Sequence, residues 1–391
     1  MRDITPRART LCAVAALLWT ASAMTHPASG SPRAFDAKIG AREPGCAVLV
    51  RERGRTIVAR GYGLRAVGGD EPIGSRTNFR LASVTKQFTA MAVMLLVHDG
   101  RLGYDTTLAD VFPDFPAYGR QITVRHLLTH TAGLPDYEEL MEARERDGGP
   151  HYTPERQIGD EAVLALLEQE PKPRFAPGSQ WAYSNSGYVV LGLIVSRVSG
   201  QPFADFLRER VFRPLGMHHT LLYRRDTETI LERAYGHERS AAGLVVSDQS
   251  STSASQGDGG VYSNLEDLAR WDAALESHRL LPAREMQAAL TPVHLADGSE
   301  PRWPDTTGDE DNLAPGEPVS YGYGWFLDPS AGHHRMWHFG TTQGFRSALM
   351  RYPDDRLTVV VLCNRMDLDA RALALETASQ YLGPVPGARP R

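Results

Sequence analysis

The chain has 391 residues, 42% of them hydrophobic and 23% charged, and a formal net charge of −5. This is an ordinary globular composition, long enough to bury a large core in one domain or two lobes. The acidic balance argues against a nucleic-acid-binding protein.

In chain order, Arg2, Arg7 and Arg9 precede an apolar run from Leu11 to Trp19, and Ala21-Ser22-Ala23 supplies the small residues of a cleavage site. The pattern predicts a signal peptide over residues 1–23 and an exported protein, periplasmic or secreted. Cleavage leaves 39 basic and 46 acidic residues, a net charge of −7. The apolar run is too short for a lasting anchor, and no later stretch approaches about 18 continuous apolar residues, so no permanent membrane span is expected. A Pro/Gly/Ser-rich linker fills 24–35.

From Gly45, "GCAVLVRERG" and "RTIVARGYG" predict two strands joined by a tight turn at Arg53-Gly54. "LASVTKQFTA" follows, Leu81 to Ala90. From Val84 the apolar residues Phe88, Met91, Ala92, Met94, Leu95 and Leu96 keep the three-and-four spacing of a buried helix, and Lys86 breaks that face. Ser83 and Lys86, three apart, meet one turn apart. They form a candidate nucleophile and cationic neighbour; the plainer reading is an N-cap serine beside a snorkelling lysine.

The stretch from about 100 to 284 is mainly helical, with "DEAVLALLEQE", "GYVVLGLIVSRVSG", "PFADFLRERVF" and "LEDLARWDAALES" all at helical spacing. Tyr183-Ser184-Asn185 lies in the loop before the second of these. His126 and His130 are four apart, but "HLLTH" lacks the glutamate of H-E-x-x-H, so no metal site is expected. "GDGG" at 257–260 has no phosphate-loop lysine and reads as tight backbone. The polar, Pro/Gly-rich stretch 297–318 reads by default as a disordered insertion, with a flap bordering the site as the alternative.

Near the C-terminus, "WHFGTTQGF" presents His338 and Gly340. "FRSALMRY" and "LTVVVLCN" predict strands around a turn at Pro353-Asp354-Asp355, and a last helix runs from about Asp369 to Leu382. The simplest architecture is a sheet built from both chain ends around a helical region. Cys46 opens "CAVLV" and Cys363 closes "LTVVVLC", so pairing requires the two strands to be antiparallel neighbours. Two buried free thiols are the preferred reading.

S-V-T-K (83–86), Y-S-N (183–185) and H-F-G (338–340) occur in the order and approximate spacing of the serine β-lactamase and penicillin-recognising hydrolase superfamily. "VRHLLTHTAGLP", "FAPGSQWAYSN", "VFRPLGM" and "GDGGVYSNLEDLARW" also resemble that family's connecting segments, over roughly residues 36–385, with a short tail at 386–391. The likeness is particularly to the branch with class C β-lactamases, D-Ala-D-Ala carboxypeptidases, D-aminopeptidases and related esterases.

The resemblance implies a β-lactamase-like α/β (α+β) fold, with an antiparallel sheet, flanking helices and a helical lobe at about 100–284. It implies Ser83 as nucleophile, and Lys86 and Tyr183 as a coupled proton-transfer pair with the base unassigned. Asn185 would orient the substrate, and His338 would bind or polarise its carboxylate or leaving group. Gly340 would let strand and substrate approach closely, and the amides of Ser83 and Thr341 would hold the oxyanion. The expected function is an exported serine hydrolase, a D-amino-acid peptidase or carboxypeptidase or an esterase. A class C-type β-lactamase is the alternative, and a penicillin-binding sensor without turnover is the alternative of another class. Histidine in place of the K-T-G lysine leans away from a β-lactamase. The substrate is a small molecule or peptide; no cofactor, nucleic acid or specific protein partner is expected.

Overall fold

Among the described residues the strands, in chain order, are β1 (Cys46–Glu52), β2 (Arg55–Tyr62), β3 (Phe79–Arg80), β4 (Leu221–Leu222), β5 (His237–Ser240), β6 (Gly243–Val246), β7 (Val261–Ser263), β8 (Met336–Thr342), β9 (Phe345–Tyr352) and β10 (Leu357–Cys363). This computed structural model describes Met1 and residues 33–225, 229–306 and 312–383. The chain divides into Met1–Ser31 and Pro32–Arg391, and the second unit carries the fold described below. All but Met1 of the signal peptide expected at 1–23, most of the linker at 24–35 and the tail at 386–391 lie outside the described residues.

The main sheet is antiparallel, in the order β2-β1-β10-β9-β8, and so is built from both ends of the chain. Its central strands are almost wholly buried, which is why they read as continuous apolar runs rather than as alternating ones. Cys46, Val48 and Val50 of β1 point into one core, and Ala47 and Leu49 into the other. Arg53 and Gly54 join β1 to β2 with φ of +50° and +78°, the two left-handed residues that a tight hairpin turn needs.

Within the β1–β10 pair Cys46 stands opposite Cys363, and the two are joined as a disulfide with Cα atoms 4.0 Å apart. This corrects the free-thiol expectation. Direct cross-strand partners share a sheet face, so this register brings the two Cβ atoms together.

The helix Ala370–Ser379 packs on β9 and β10, and the helix Leu265–Glu276 packs on β1, β2 and β10. In the helical region the buried helix Asn185–Ser199 touches Lys86–His98, Val124–Leu128, Asp160–Glu168 and Phe203–Leu207. This region also holds the short sheet β3-β7-β4, to which β3 comes from the N-terminal part, and the hairpin β5–β6. The described parts of 297–318 are tied together, contrary to the disordered default. Trp303 N–H donates to Glu317 O and Val319 N–H to Pro301 O, each at 2.9 Å, and the Trp303 ring is buried. No helix among the described residues is long and apolar enough to cross a membrane.

Candidate active site

A sharp turn presents Ser83. After β3, Ala82 takes φ of +48°, a left-handed conformation that costs a residue with a Cβ about 1–3 kcal/mol. The chain then passes through a 3-10 turn, Ala82–Thr85, and the α-helix begins at Lys86. Strain at this turn is affordable because its neighbours fix it. Leu81 N–H donates to Val261 O at 2.8 Å, and Ser347 Oγ donates to Leu81 O at 2.6 Å.

Lys86 is fully buried, and its Nζ hydrogen-bonds with Ser83 Oγ at 3.0 Å, Asn185 Oδ1 at 2.8 Å and the main-chain oxygen of Asp258 at 3.0 Å. Two of these partners are carbonyl oxygens and can only accept, whereas the Ser83 hydroxyl can accept or donate. The same trio therefore serves an ammonium, which donates to all three, and a neutral amine, which accepts the Ser83 proton. Nζ also lies 4.8 Å from the centroid of the Tyr183 ring and 5.4 Å from that of Tyr188, within cation–π range.

Tyr183 and Asn185 come from the loop and first turn of one helix. Ser184 caps that helix, its Oγ accepting Gly187 N–H at 3.1 Å. With Asn185 Oδ1 accepting from Lys86, the Asn185 amide has a set orientation in which its NH2 is the donor end.

His338 is placed differently from expectation. The ring is completely buried; Nδ1 lies 2.7 Å from Phe339 O and Nε2 lies 3.0 Å from Tyr321 Oη. A carbonyl cannot donate, so Nδ1 carries the proton and Nε2 accepts from the Tyr321 hydroxyl. Burial first, then the nearby Lys86 charge, lowers the His338 pKa to about 3, against a smaller raising effect from the Phe339 carbonyl. His338 is thus a neutral internal group in this structure, with both nitrogens occupied, and it is not a ligand exposed to a substrate carboxylate.

Gly340 allows a close approach within the protein itself. A Cβ there would fall 2.2 Å from Leu81 O and 2.3 Å from Ser347 Oγ, so the missing side chain lets β8 approach the Ser83 turn itself. β8 is an edge strand, and Trp337 exchanges both main-chain hydrogen bonds, each 2.9 Å, with Phe326 outside the sheet. Backbone direction alternates along a strand, so the Thr341 N–H also faces that outer edge, where no strand among the described residues pairs with it.

Likenesses to known proteins bear on this geometry. The sequence profile of the Beta-lactamase family matches residues 32–381, nearly the whole described fold. The chain belongs to that family. Penicillin-binding protein 4* of Bacillus subtilis is 31% identical over 86% of this chain and 71% of its own length. A D-aminopeptidase of Gluconobacter oxydans is 27% identical over 83% of this chain, which spans 56% of the relative's length. The crystal structure of a penicillin-binding protein from Bacillus halodurans superposes with a TM-score of 0.69 at 25% identity, covering 90% of this chain and 98% of that one. Membership in the family makes the protein an enzyme, a serine hydrolase.

This family member also uses residues to which the sequence reading gave no such role. His130, with φ of +60°, accepts Ala182 N–H with its carbonyl at 3.0 Å and Ser184 N–H with ring Nδ1 at 3.0 Å, bracketing Tyr183. His126 instead closes the capping box at the start of the helix Val124–Leu128. Among the described residues no group of three or more His, Cys, Asp and Glu side chains is placed to hold a metal ion. "GDGG" is tight backbone, as read: a Cβ on Gly257 would lie 2.1 Å from Tyr188 O. It also has a second task, delivering the Asp258 carbonyl to Lys86 while the Asp258 carboxylate accepts the Tyr137 hydroxyl at 3.2 Å. The fragments "LLTHTAG" and "GDGG" were the available signals, but each acts across a long sequence separation.

Proposed function

We propose that the enzyme hydrolyses an amide or ester through an acyl-enzyme on Ser83, with D-amino-acid amides or peptides, or small esters, as its substrate class. The observation that carries this reading is Lys86 Nζ, within hydrogen-bond reach of both Ser83 Oγ and Asn185 Oδ1 and beneath the Tyr183 ring. Ser83 Oγ bonds to the carbonyl carbon as its proton passes to the Lys86–Tyr183 pair. The carbonyl oxygen takes the negative charge and is held by the amides of Ser83 and Thr341, while Asn185 orients the substrate. Collapse breaks the bond to the amine or alcohol, which leaves with the proton returned by the pair. Water then attacks the ester, releasing the acid and restoring the Ser83 hydroxyl.

The neutral, enclosed His338 supports an amidase, peptidase or esterase over an efficient β-lactamase, because this histidine fills the motif position that K-T-G enzymes give to a lysine. The D-aminopeptidase relative supports the same substrate class. The Cys46–Cys363 disulfide supports export, since such bonds persist in oxidising compartments.

The test is intact-mass spectrometry during incubation with a penicillin, alongside hydrolysis of a D-aminoacyl amide and a small ester, with Ser83→Ala as control. A Ser83-dependent adduct or turnover of either substrate supports the reading. Ester hydrolysis unchanged in Ser83→Ala would falsify it.

A further inference from the structure

A cavity of about 340 Å³ opens between the helix Leu265–Glu276, β9, β10 and the segment around Met286 and Leu290. That is within the range of small-molecule sites. None of Ser83, Lys86, Tyr183 or Asn185 lines it. Leu275, Met286, Leu290, Met336 and Leu357 make apolar walls, and Asp272, Thr358 and Arg351 make a polar floor.

The charges on that floor do not balance. The Asp272 carboxylate already serves three donors: it accepts from Arg51 Nη1, from Arg351 Nε at 2.5 Å and from Thr358 Oγ1 at 2.7 Å. Two guanidiniums, 7% and 11% exposed at the side chain, thus share one buried carboxylate. At the rim Glu276 pairs with Arg356 through bonds of 2.9 and 2.6 Å and has no charge to spare. Arg51 sends Nη2 to Gly54 O at 2.9 Å, but among the described residues the Nη atoms of Arg351 meet only Met336 Sδ at 3.4 Å and Asp272 O at 3.5 Å, a weak acceptor and a bond at the limit of reach. One positive charge is left over beside an apolar cavity, and an unmatched buried charge is costly.

We propose that this cavity is a second ligand site, separate from the Ser83 group, for a carboxylate with an aliphatic body. The carboxylate bonds the Nη edge of Arg351 and neutralises the surplus charge, and the chain lies against Leu275, Met286, Leu290 and Leu357. A guanidinium edge with unused donors matches the two oxygens of a carboxylate.

Calorimetric titration with octanoate tests this on the whole chain, with octanol as a neutral probe of the same body and acetate as a charge without one. Octanoate should bind saturably and raise the melting temperature, and octanol and acetate should each bind at least about tenfold more weakly. Arg351→Met should lower octanoate affinity about tenfold or more while remaining folded, because it leaves Arg51 and Asp272 as a balanced pair. Leu290→Trp, which fills the cavity from its apolar wall, should also abolish binding. Both variants should keep wild-type ester hydrolysis. No saturable binding at millimolar octanoate, or binding unchanged in both variants, overturns the proposal.

Discussion

His130 holds Tyr183 from both sides: its carbonyl takes the amide before the tyrosine, its imidazole takes the amide after it, and the two ring centroids lie 4.5 Å apart. A single residue can do this because φ of +60° turns its main chain and side chain toward the same loop. His130→Leu should leave the Ser184 amide unpaired and lower stability by about 1–3 kcal/mol. Acylation should fall by about 10- to 100-fold, since a displaced Tyr183 cannot complete the site. His130→Asn, with an acceptor and a tolerance for positive φ, should recover part of both. Pre-steady-state acylation of an activated ester, with a melting curve for each variant, checks this; equal loss in Leu and Asn would deny the hydrogen bond its role.

Lys86 and Tyr183 should behave as one unit. Lys86→Ala and Tyr183→Phe should each lower kcat/KM by about two to four orders of magnitude, and the double variant should lose little more than the worse single one. Losses that simply add on a logarithmic scale would mean that the two act independently.

The parts legible in the sequence were those with local signatures. The Arg53-Gly54 turn, the apolar runs of β1 and β10 and the periodic helices can each be read within about a dozen residues. The Ser83–Lys86 spacing marked the candidate site, and the resemblance put forward Tyr183, Asn185 and Gly340. Strands of two or three residues such as β3, β4 and β7 have no periodicity to detect. The Asp258 carbonyl reaches Lys86 across 172 residues, and the Ser184 amide reaches His130 across 54. Those contacts follow from tertiary packing alone. For His338, its position in the motif was informative but its direction was not, because only packing against Tyr321 tells which groups its nitrogens meet.

The state of His338 leads to a pH prediction. An imidazole held at about 3 in the fold and near 6.5 in the unfolded chain takes up its proton more readily when unfolded. Its contribution to stability is therefore complete above about pH 6.5 and is lost as pH falls toward 3. His130 moves in the same direction through burial and the Lys86 charge, so His338 accounts for only part of the slope. His338→Gln keeps a donor and an acceptor without the titration, and its melting temperature should fall less steeply below pH 6.5 than that of the wild type. Parallel curves would contradict a neutral, buried His338, as would an inflection near pH 6.5 in wild-type kcat/KM that this variant abolishes.

The disulfide closes the sheet between its first strand and its last, joining residues 317 apart in sequence. Cross-links over long loops remove the most freedom from the unfolded chain, and losing this one should cost about 2–5 kcal/mol. Neither cysteine belongs to the Ser83 group, so Cys46→Ala with Cys363→Ala should keep ester hydrolysis while unfolding at lower urea concentration. Strand pairing explains why function should survive: the apolar partners along β1 and β10 hold the register without the bond. Reductant should shift the wild-type urea curve to that of the double variant and leave the double variant's curve in place. Alkylation of both thiols in unfolded, unreduced protein would show that the strands carry free cysteines, and the argument from this bond to an oxidising compartment would fall with it.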